Sequence, residues 1–455
     1  MKLTVWIHER RVGTLAYDIH TARFVFDYAQ EWLIWNERFP LAPSLPFQHL
    51  GNELPDQHSA AVRQFFQNLL PEGQALEDAA RANKISKANV LGLLQALGKE
   101  TTGALRITLE GERPHTTRAQ PRLLLGEELS ERIRRRPELP FSIWDGKIRL
   151  SIAGYQDKLA VFEHKNQWFL VEDEALASTL ILKPEPVSKT LTGMTTNELM
   201  CMTLARSIGL PVASAYLKHV PEPVLVIERF DRKVVPSATG EVEVERRHCI
   251  DGCQTLGLSV DFKYERPYGD GRDVKDIRDG ASLQRFFTLL QDTSKVPVTA
   301  AAQLEFLRWV IFQVLIGNTD AHAKNVSFFC GADGLRLTPA YDLVCGLAFA
   351  PAGIEDSLAM AIGDNFDPLK IQEYNWAQLA FENRLAPRLV ANELARLAKA
   401  CLNALPGVLE ILEKQSASAE MARLVSDVVG RQCKNALVCA PGIARIYDEQ
   451  FKTLV

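Results

Sequence analysis

The sequence contains no hydrophobic run long enough to cross a membrane. Its most apolar stretch, residues 309–316, has the length of a buried helix, whereas a membrane-spanning helix needs about 20 apolar residues. The opening segment MKLTVWIHERR carries charges within its apolar part, which is unlike a secretory signal peptide. We therefore expect a soluble, cytoplasmic protein without a membrane partner.

An excess of charge of one sign is also missing. The 455 residues include 52 lysine and arginine against 56 aspartate and glutamate residues, so the formal net charge is -4. Autonomous nucleic-acid-binding domains usually carry a strong basic patch, so the sequence favours a protein that does not bind DNA by itself. The run RIRRR at residues 132–136 is predicted to be a solvated helix face rather than a nucleic-acid contact.

The cysteines lack both the CxxC pair of many metal sites and the regular spacing of a secreted disulfide framework. All eight follow residue 200, and this pattern predicts reduced thiols. His248, Cys249 and Cys253 are close in sequence, but no second pair stands at zinc-site spacing. Packing is therefore the predicted role of the cysteines, and a cysteine-bound metal is not expected.

Two common nucleotide-binding motifs are incomplete, and internal repeats are absent. Residues 92–100 resemble a Walker A loop, but the glycine spacing is one residue too long and Glu100 replaces the Ser/Thr that would hold Mg²⁺. Gly269 and Gly271 have no third glycine at the required place and no preceding strand. Neither a P-loop nor a Rossmann site is predicted.

The patterning along the chain indicates an α+β protein with a sheet-rich part followed by a helical part. Residues 58–98 have helical periodicity, and several short strands occur up to about residue 230. From about residue 281 nearly the whole chain has a helical pattern. The predicted divisions are a small N-terminal domain at 1–110, a connecting segment with one short helix at 111–145, a sheet-rich lobe at 146–230 and a helical lobe at 231–455.

One helix interrupts the strands of the sheet-rich part. It is predicted over residues 196–207, with Thr195 or Thr196 as its N-cap, because threonine side chains accept hydrogen bonds from the first turn. Gly209 is predicted to end it, since glycine adopts the left-handed conformation that closes many helices.

The segment GNTDAHAKN at residues 317–325 follows a strongly apolar helix that Gly317 is predicted to end. Asp320 and Asn325 are five residues apart, as in the protein-kinase loop D-x-x-x-x-N, where the Asp accepts a hydroxyl proton and the Asn coordinates Mg²⁺. The following pattern predicts a hairpin that returns the chain to Asp342. Asp342 would then lie beside Asn325, and the two could share a metal that bridges phosphates.

The sheet-rich part contains further kinase-like features in the same chain order. A turn at Gly154 lies between two predicted strands and could cover phosphates, with Lys158 adding a positive charge. A later strand carries Lys183, positioned like the kinase strand lysine, and the next helix carries Glu198 as its candidate ion-pair partner.

Another strand then runs into the sequence ERFDR at residues 228–232. At this place the chain of a kinase crosses between lobes and presents backbone groups to an adenine edge. Asp231 and Arg232 are interpreted as a surface ion pair, which would contribute less than about 1 kcal/mol.

Together these motifs resemble those of the HipA family of bacterial Ser/Thr protein kinases, the toxins of type II toxin–antitoxin modules. The N-terminal region resembles the small N-terminal domain of that family in FFQNLLPEG and LLQALGKETTGALRI. The other matching segments are SIAGYQDK at 151–158, LILKP at 180–184, NELMCMTLARSIGLPV at 197–212, ERFDR at 228–232, CQTLGL at 253–258, GNTDAHAKNVSF at 317–328 and LTPAYDL at 337–343.

The resemblance implies a two-lobed protein-kinase-like fold, related to phosphoinositide (PI3/4) kinases, that uses ATP and Mg²⁺. It makes Asp320 the catalytic base, Asn325 and Asp342 the metal ligands, and Ser151 a site of autophosphorylation. The ATP contacts that it implies are Ala153, Gly154, Tyr155, Gln156, Asp157, Lys158, Lys183, Glu228, Arg229, Phe230, His322, Ala323, Lys324, Asn325, Tyr341 and Asp342.

The function implied by the resemblance is growth-inhibiting phosphorylation of a cytoplasmic protein, translation-related in kind, such as an aminoacyl-tRNA synthetase. The implied partner is a helix-turn-helix antitoxin of the HipB type, with operator DNA reached only through that antitoxin. Two alternatives stay open. A small-molecule phosphotransferase uses the same Asp–Asn–Asp pattern, and a catalytically idle chain could serve as a co-repressor.

Overall fold

The computed structural model describes residues 1–47, 54–114, 121–136, 138–145, 147–148, 156–171, 176–236, 242–353 and 356–454. The predicted phosphate-loop residues Ala153, Gly154 and Tyr155, and Ser151 before them, lie outside the described residues. The chain forms two compact units. The first comprises Met1–Val187, Lys218–Val260 and Ser327–Leu335, and the second comprises Ser188–Leu217, Asp261–Val326 and Arg336–Val455.

Among the described residues, the N-terminal part of the first unit is an antiparallel sheet in the order β3-β2-β1-β4 together with four helices. Its apolar residues pack between the sheet and the helices, where the rings of Phe26 and Phe66 are 5.4 Å apart. The helices predicted within residues 58–98 are confirmed. The elements are β1 (Lys2–Ile7), β2 (Arg10–Asp18), β3 (Arg23–Tyr28), α1 (Gln30–Leu33), α2 (Pro55–Gln67), α3 (Gly73–Asn83), α4 (Val90–Leu97) and β4 (Leu105–Leu109).

A six-stranded sheet in the order β11-β12-β10-β8-β9-β5 follows. Strand β10 is interior to this sheet and pairs antiparallel with β8 and β12. The elements of this region are β5 (Arg122–Leu124), α5 (Gly126–Arg134), β6 (Ile143–Trp144), β7 (Lys147–Ile148), β8 (Leu159–His164), β9 (Gln167–Leu170), β10 (Leu180–Pro184), α6 (Met194–Ser207), β11 (Ala215–His219) and β12 (Pro223–Glu228).

The segment predicted to connect two domains contains a strand of the six-stranded sheet in addition to the predicted short helix. Strand β5 pairs antiparallel with β9 and extends the six-stranded sheet, and α5 follows it. Within the arginine run, Arg132 donates to the carbonyl of Pro140 at 2.8 Å, and Arg136 donates to the carbonyl of Glu185 at 2.7 Å. The predicted solvated face is therefore wrong for these two arginines, because their long side chains pack back onto the protein.

Helix α6 begins two residues earlier than predicted, and neither threonine caps it. Its N-cap is Gly193, which has a φ of 87° and makes no side-chain cap. Thr196 instead accepts a hydrogen bond on Oγ1 from the backbone of Ser418 at 3.0 Å. The predicted end is confirmed, since Gly209 follows the C-cap with a φ of 80°.

Helices predominate among the described residues from about residue 281, where the helical pattern was predicted, whereas residues 231–280 contain three strands in the part that the structure describes. Strands β13 and β14 pair with each other, and β15, β16 and β17 form a three-stranded sheet. In the second unit α11 packs against α6, α9 and α12. The elements are β13 (Arg232–Pro236), β14 (Val242–Arg246), β15 (Cys249–Asp251), α7 (Gly252–Leu256), α8 (Leu283–Leu290), α9 (Thr299–Leu315), β16 (Ser327–Gly331), β17 (Gly334–Leu337), α10 (Glu373–Glu382), α11 (Pro387–Lys414), α12 (Ala419–Cys439) and α13 (Ile443–Gln450).

The cysteines lie in the protein interior. All eight cysteines are free thiols with buried side chains, as predicted. His248 is buried too, and burial lowers its pKa to about 4. Among the described residues no group of three or more His, Cys, Asp or Glu side chains could hold a metal. No helix in the described part of the chain is long and apolar enough to span a membrane.

Candidate functional site

The predicted catalytic segment begins where the buried helix α9 ends. Gly317 has a φ of 65°, a left-handed conformation that favours glycine. Asn318 donates its backbone N–H to Gln313 at 2.9 Å, which is the 6→1 bond of a Schellman motif. Leu347 donates in turn to the carbonyl of Gly317 at 3.1 Å. The helix end is thereby fixed from two sides.

Asp320 is held through its backbone, whereas its carboxylate faces solvent. Its N–H donates to Oδ1 of Asn318 at 2.9 Å, and its carbonyl accepts from Nδ2 of Asn325 at 2.7 Å and from the N–H of His322 at 2.8 Å. The Asp320 side chain is 57% exposed. An aspartate whose backbone is held by hydrogen bonds and whose carboxylate is accessible to solvent can accept a proton from a bound hydroxyl.

The amide of Asn325 contacts the backbone of Asp320. Its nitrogen is the atom that donates to Asp320, so its oxygen points away from that carbonyl. The predicted hairpin is present as β16 and β17. Beyond it, Tyr341 donates its hydroxyl to the carbonyl of Lys324 at 2.8 Å. This contact joins the residue before Asp342 to the residue before Asn325.

The predicted metal ligands, Asn325 and Asp342, would supply one amide oxygen and one carboxylate. Mg²⁺ is usually bound by one or two such oxygens together with substrate phosphates, so these side chains would fit Mg²⁺ better than a transition metal. The backbone of Asp342 has a φ of 54°, which is uncommon for a residue with a side chain and often marks a functional site.

Tyr264 is a site residue that the sequence patterns did not identify. Its hydroxyl donates to Oδ1 of Asp320 at 2.5 Å. Its ring lies edge-on to the ring of His322, with the centroids 5.0 Å apart. Tyr264 precedes Asp320 by 56 residues, so no local spacing links the two. The only sequence signal is a tyrosine in a polar segment.

The segment around Tyr264 is anchored on both sides. The carbonyl of Lys263 accepts from the N–H of Ala323 at 3.0 Å. Glu265 is 2% exposed and accepts from the N–H of Ala361 at 2.8 Å and from Nε of Arg278 at 2.6 Å. Burial raises the pKa of Glu265, although the amide of Ala361 and the guanidinium of Arg278 oppose this. Tyr264 is thus presented from a fixed backbone.

The predicted ATP contacts of the first unit lie on the six-stranded sheet and at its ends. Lys183 on β10 is 5% exposed, and its Cα partner on β12 is Leu225. Lys158 is 7% exposed and directly precedes β8. Glu228 ends β12 with an exposed side chain. Glu198 is fully buried in the second unit, and its ion pair with Lys183 stays a prediction.

Other predicted contacts have partners of their own. Phe230 packs edge-on against Phe329, with ring centroids 5.9 Å apart. Asp157, which follows the half-buried Gln156, forms an ion pair with Arg136 at 3.4 Å. Burial raises the pKa of Asp157, while Arg136 acts in the opposite direction.

The interpretation of Asp231 and Arg232 as a surface ion pair is wrong. Their side chains are 5% and 1% exposed, and they are 2.8 Å apart. Arg229, predicted as an ATP contact, also directs its guanidinium into this buried group, 2.8 Å from Asp231. Its backbone N–H donates to the carbonyl of Thr179 at 2.9 Å. The side chain of Arg229 is therefore part of the protein interior, which sequence spacing could not indicate.

Comparisons with known proteins agree with this architecture. The HipA N-terminal domain family matches residues 3–108, and the HipA-like C-terminal domain family matches residues 150–406. The chain is 37% identical to the serine/threonine-protein kinase toxin HipA of Shewanella oneidensis over 90% of each sequence. It is 31% identical to Y4mE of Sinorhizobium fredii over 94% of this chain and 97% of that protein.

A solved structure shows the same fold at full length. It is the complex of Shewanella oneidensis HipA with HipB and operator DNA, whose matching chain has 34% sequence identity and a TM-score of 0.85. The match covers 97% of this chain and 99% of that chain. The mixed α and β architecture predicted from the sequence is confirmed. Both domain matches and the extent of the likeness establish that the chain belongs to the HipA family of toxin kinases.

Proposed function

We propose that the protein is an ATP-dependent Ser/Thr protein kinase that acts in the cytoplasm as the growth-inhibiting toxin of a toxin–antitoxin pair. The observation that carries the proposal is the geometry of Asp320. Its backbone is fixed by Asn318 and Asn325, while its carboxylate remains exposed. Membership of the HipA family supports the same activity.

In the proposed reaction Asp320 orients the hydroxyl of a protein Ser or Thr toward the γ-phosphate of ATP and accepts its proton. Tyr264 holds one carboxylate oxygen of Asp320, which leaves the other for the substrate. Asn325 and Asp342 would hold Mg²⁺, which when bound neutralises charge on the phosphate oxygens. Lys183 would add a further positive charge to the phosphates.

The ATP contacts that we propose are residues predicted from the sequence. They are Gln156, Asp157, Lys158, Glu228, Phe230, His322, Ala323, Lys324 and Tyr341. Arg229 would contribute through its backbone only, since its guanidinium is engaged. Ala153, Gly154 and Tyr155 would contact the phosphates of ATP, and phosphorylation of Ser151 would repel ATP by adding about two negative charges.

The proposed partner is a HipB-type antitoxin, through which the protein would reach operator DNA. The support is the relative of known structure, which is a complex of HipA with HipB and its operator DNA. A translation-related protein, such as an aminoacyl-tRNA synthetase, is the proposed substrate class.

Two other functions are less well supported. A small-molecule phosphotransferase would need no counterpart of the HipA N-terminal domain, yet that domain matches residues 3–108. A catalytically idle co-repressor would have no need for Asp320, Asn325 and Asp342, all of which are present. Co-repression can accompany kinase activity, so it is compatible with the proposal.

The test is phosphate transfer by the Asp320→Asn variant. We expect the variant to fold and to lose phosphorylation of proteins from radiolabelled ATP, because an amide cannot accept the hydroxyl proton. Removal of a general base typically lowers a rate by about 10²- to 10⁴-fold. Phosphoproteomics after induction of wild type and variant would identify the substrate.

Asp333→Asn is the matched control. Asp333 lies in the exposed turn between β16 and β17, and its variant should phosphorylate like wild type. Turnover by Asp320→Asn at the wild-type rate would contradict the proposed role of Asp320.

A further inference from the structure

Four buried charged residues and the half-buried Glu100 form a group in the first unit, which we name the arginine cluster. Its members are Glu100, Arg229, Asp231, Arg232 and Arg246. Glu100 comes from the region that matches the HipA N-terminal domain. The other four belong to the region matched by the C-terminal domain. The cluster therefore joins two parts of the chain that are far apart in sequence.

Glu100 contacts all three arginines of the cluster. Its Oε1 accepts from Arg229 at 3.1 Å and from Arg232 at 3.2 Å. Its Oε2 accepts from Arg246 at 2.8 Å. Asp231 accepts from Arg229 and from Arg232, each at 2.8 Å. Each carboxylate thus bridges guanidinium groups that would otherwise repel one another.

The charges of the arginine cluster do not cancel, since three guanidinium groups face two carboxylates. Backbone carbonyls supply further acceptors, for Thr101 accepts from Arg232 at 2.9 Å and Gly103 accepts from Arg232 at 2.7 Å. Burial disfavours the charged form of Glu100, but the three arginines outweigh it and lower the pKa of Glu100 to about 2. Glu100 is therefore charged at neutral pH, and the cluster depends on that charge.

The arginine cluster also holds the ends of two strands that carry proposed ATP contacts. Ser178 lies two residues before β10, the strand of Lys183, and donates its hydroxyl to Glu100 at 2.8 Å. Arg229 directly follows β12 and donates to the Ser178 hydroxyl at 2.9 Å. Glu100 is thus connected to the start of β10 and to the end of β12.

We infer that Glu100 is a positioning residue for the nucleotide site, through which the N-terminal domain sets the affinity for ATP. The backbone of residues 228–230 continues directly into the cluster, so loss of the Glu100 charge would release that segment and the start of β10. This inference rests on the proposed function, since it assumes that Lys183 and residues 228–230 contact ATP. A partner that displaced Glu100 would weaken nucleotide binding without touching the nucleotide.

The experiment compares two variants of the full-length protein with wild type by titration with Mg-ATP in a calorimeter. Glu100→Gln keeps the shape of the side chain but removes its charge, and we expect about a tenfold rise in the Kd for ATP, because hydrogen bonds between charged groups are lost. Ser178→Ala keeps every charge and removes one bridging hydroxyl, so about a threefold rise is expected. In steady state the KM for ATP should rise while kcat stays near the wild-type value.

Glu110→Gln is the matched control, because Glu110 is a 60% exposed carboxylate of the same domain. It should bind ATP like wild type. If wild type itself failed to bind ATP, the proposed function would fail. If wild type binds ATP and the folded Glu100→Gln and Ser178→Ala proteins bind it equally well, the inference is wrong. If Glu100→Gln does not fold, the ATP affinity of Ser178→Ala alone tests the inference, and a wild-type affinity of that variant would show that the inference is wrong.

Discussion

At the scale of single residues, the central feature is a carboxylate whose surroundings come from distant parts of the chain. Asn318 and Asn325 hold the backbone of Asp320 from within the same loop. Its Oδ1, however, accepts from Tyr264. A charged acceptor makes this a stronger hydrogen bond than one between neutral groups. Tyr264 thereby limits the rotation of the Asp320 side chain.

We predict that Tyr264→Phe lowers kcat about tenfold and leaves the KM for ATP unchanged, because a hydrogen bond to a charged group contributes about 1.5–3 kcal/mol. Phenylalanine keeps the ring against His322, so packing should survive. Initial rates at varied ATP concentration measure both constants.

Tyr268→Phe is the control for this prediction, since Tyr268 is on the same segment and 57% exposed. It should leave both constants unchanged. A wild-type kcat for Tyr264→Phe would show that Asp320 needs no support from the phenol.

At the scale of secondary-structure elements, the end of α9 determines where the candidate catalytic loop starts. Gly317 follows the helix with a φ of 65°, and a Cβ placed on it would lie 2.8 Å from Cδ1 of Leu347. Glycine is therefore required twice, for the backbone conformation and for the close approach. Gly209 after α6 has a φ of 80°, but a Cβ there would meet nothing within 4 Å.

This difference predicts unequal effects of alanine at the two helix ends. Gly209→Ala should lower the free energy of unfolding by about 1 kcal/mol, the cost of placing alanine in the left-handed region. Gly317→Ala should lower it by about 2–3 kcal/mol, because overpacking adds to that cost. It should also lower kcat, since the loop of Asp320 begins there.

Urea unfolding of both variants tests the comparison, and Gly209→Ala serves as the matched control for the backbone term. Equal losses of stability would mean that Leu347 moves aside at no cost and that the close approach is unimportant.

At the scale of the whole molecule, a nearly neutral chain concentrates several of its charges in its interior. The formal net charge of the chain is -4. The arginine cluster, however, contains three guanidinium groups and two carboxylates, so it has a net positive charge of one. Such a buried group is costly to disrupt, because removing one partner leaves uncompensated charge in the interior. Stability should therefore depend on the ionisation of Glu100.

We predict that the stability difference between wild type and Glu100→Gln depends on pH. The folded-state pKa of Glu100 is about 2, against an ordinary value of 4.5. Its charge therefore stabilises the folded state fully above about pH 5, and this contribution is lost as the pH falls toward 2. The difference in unfolding free energy should be largest near neutral pH and shrink on acidification.

Urea unfolding of both proteins at several pH values measures that difference. Glu110→Gln should differ little from wild type throughout, because its side chain is exposed. A difference for Glu100→Gln that stayed constant from pH 7 to pH 3 would contradict a charge-based role.

Local rules explain how much of the site could be predicted from the sequence. The buried helix, its end at Gly317 and the hairpin before Asp342 follow from apolar periodicity, glycine and turn residues, which act between near neighbours. The N-cap of α6 was predicted wrongly, because a tertiary contact with Ser418 engages Thr196. The burial of Asp231 and Arg232 was not predicted, because neighbouring residues of opposite charge occur both in surface ion pairs and in buried clusters, and the sequence does not distinguish the two.

The sequence by itself determined the family, the order of the elements and the loop that contains Asp320 and Asn325, because these depend on residues that are close along the chain. Only the tertiary structure decided that Tyr264 contacts Asp320 and that Glu100 joins Arg229 and Arg246. Those contacts span 56, 129 and 146 residues. These contacts form because folding brings distant residues together and removes water from their charged groups. The spacing of residues along the chain does not indicate either effect.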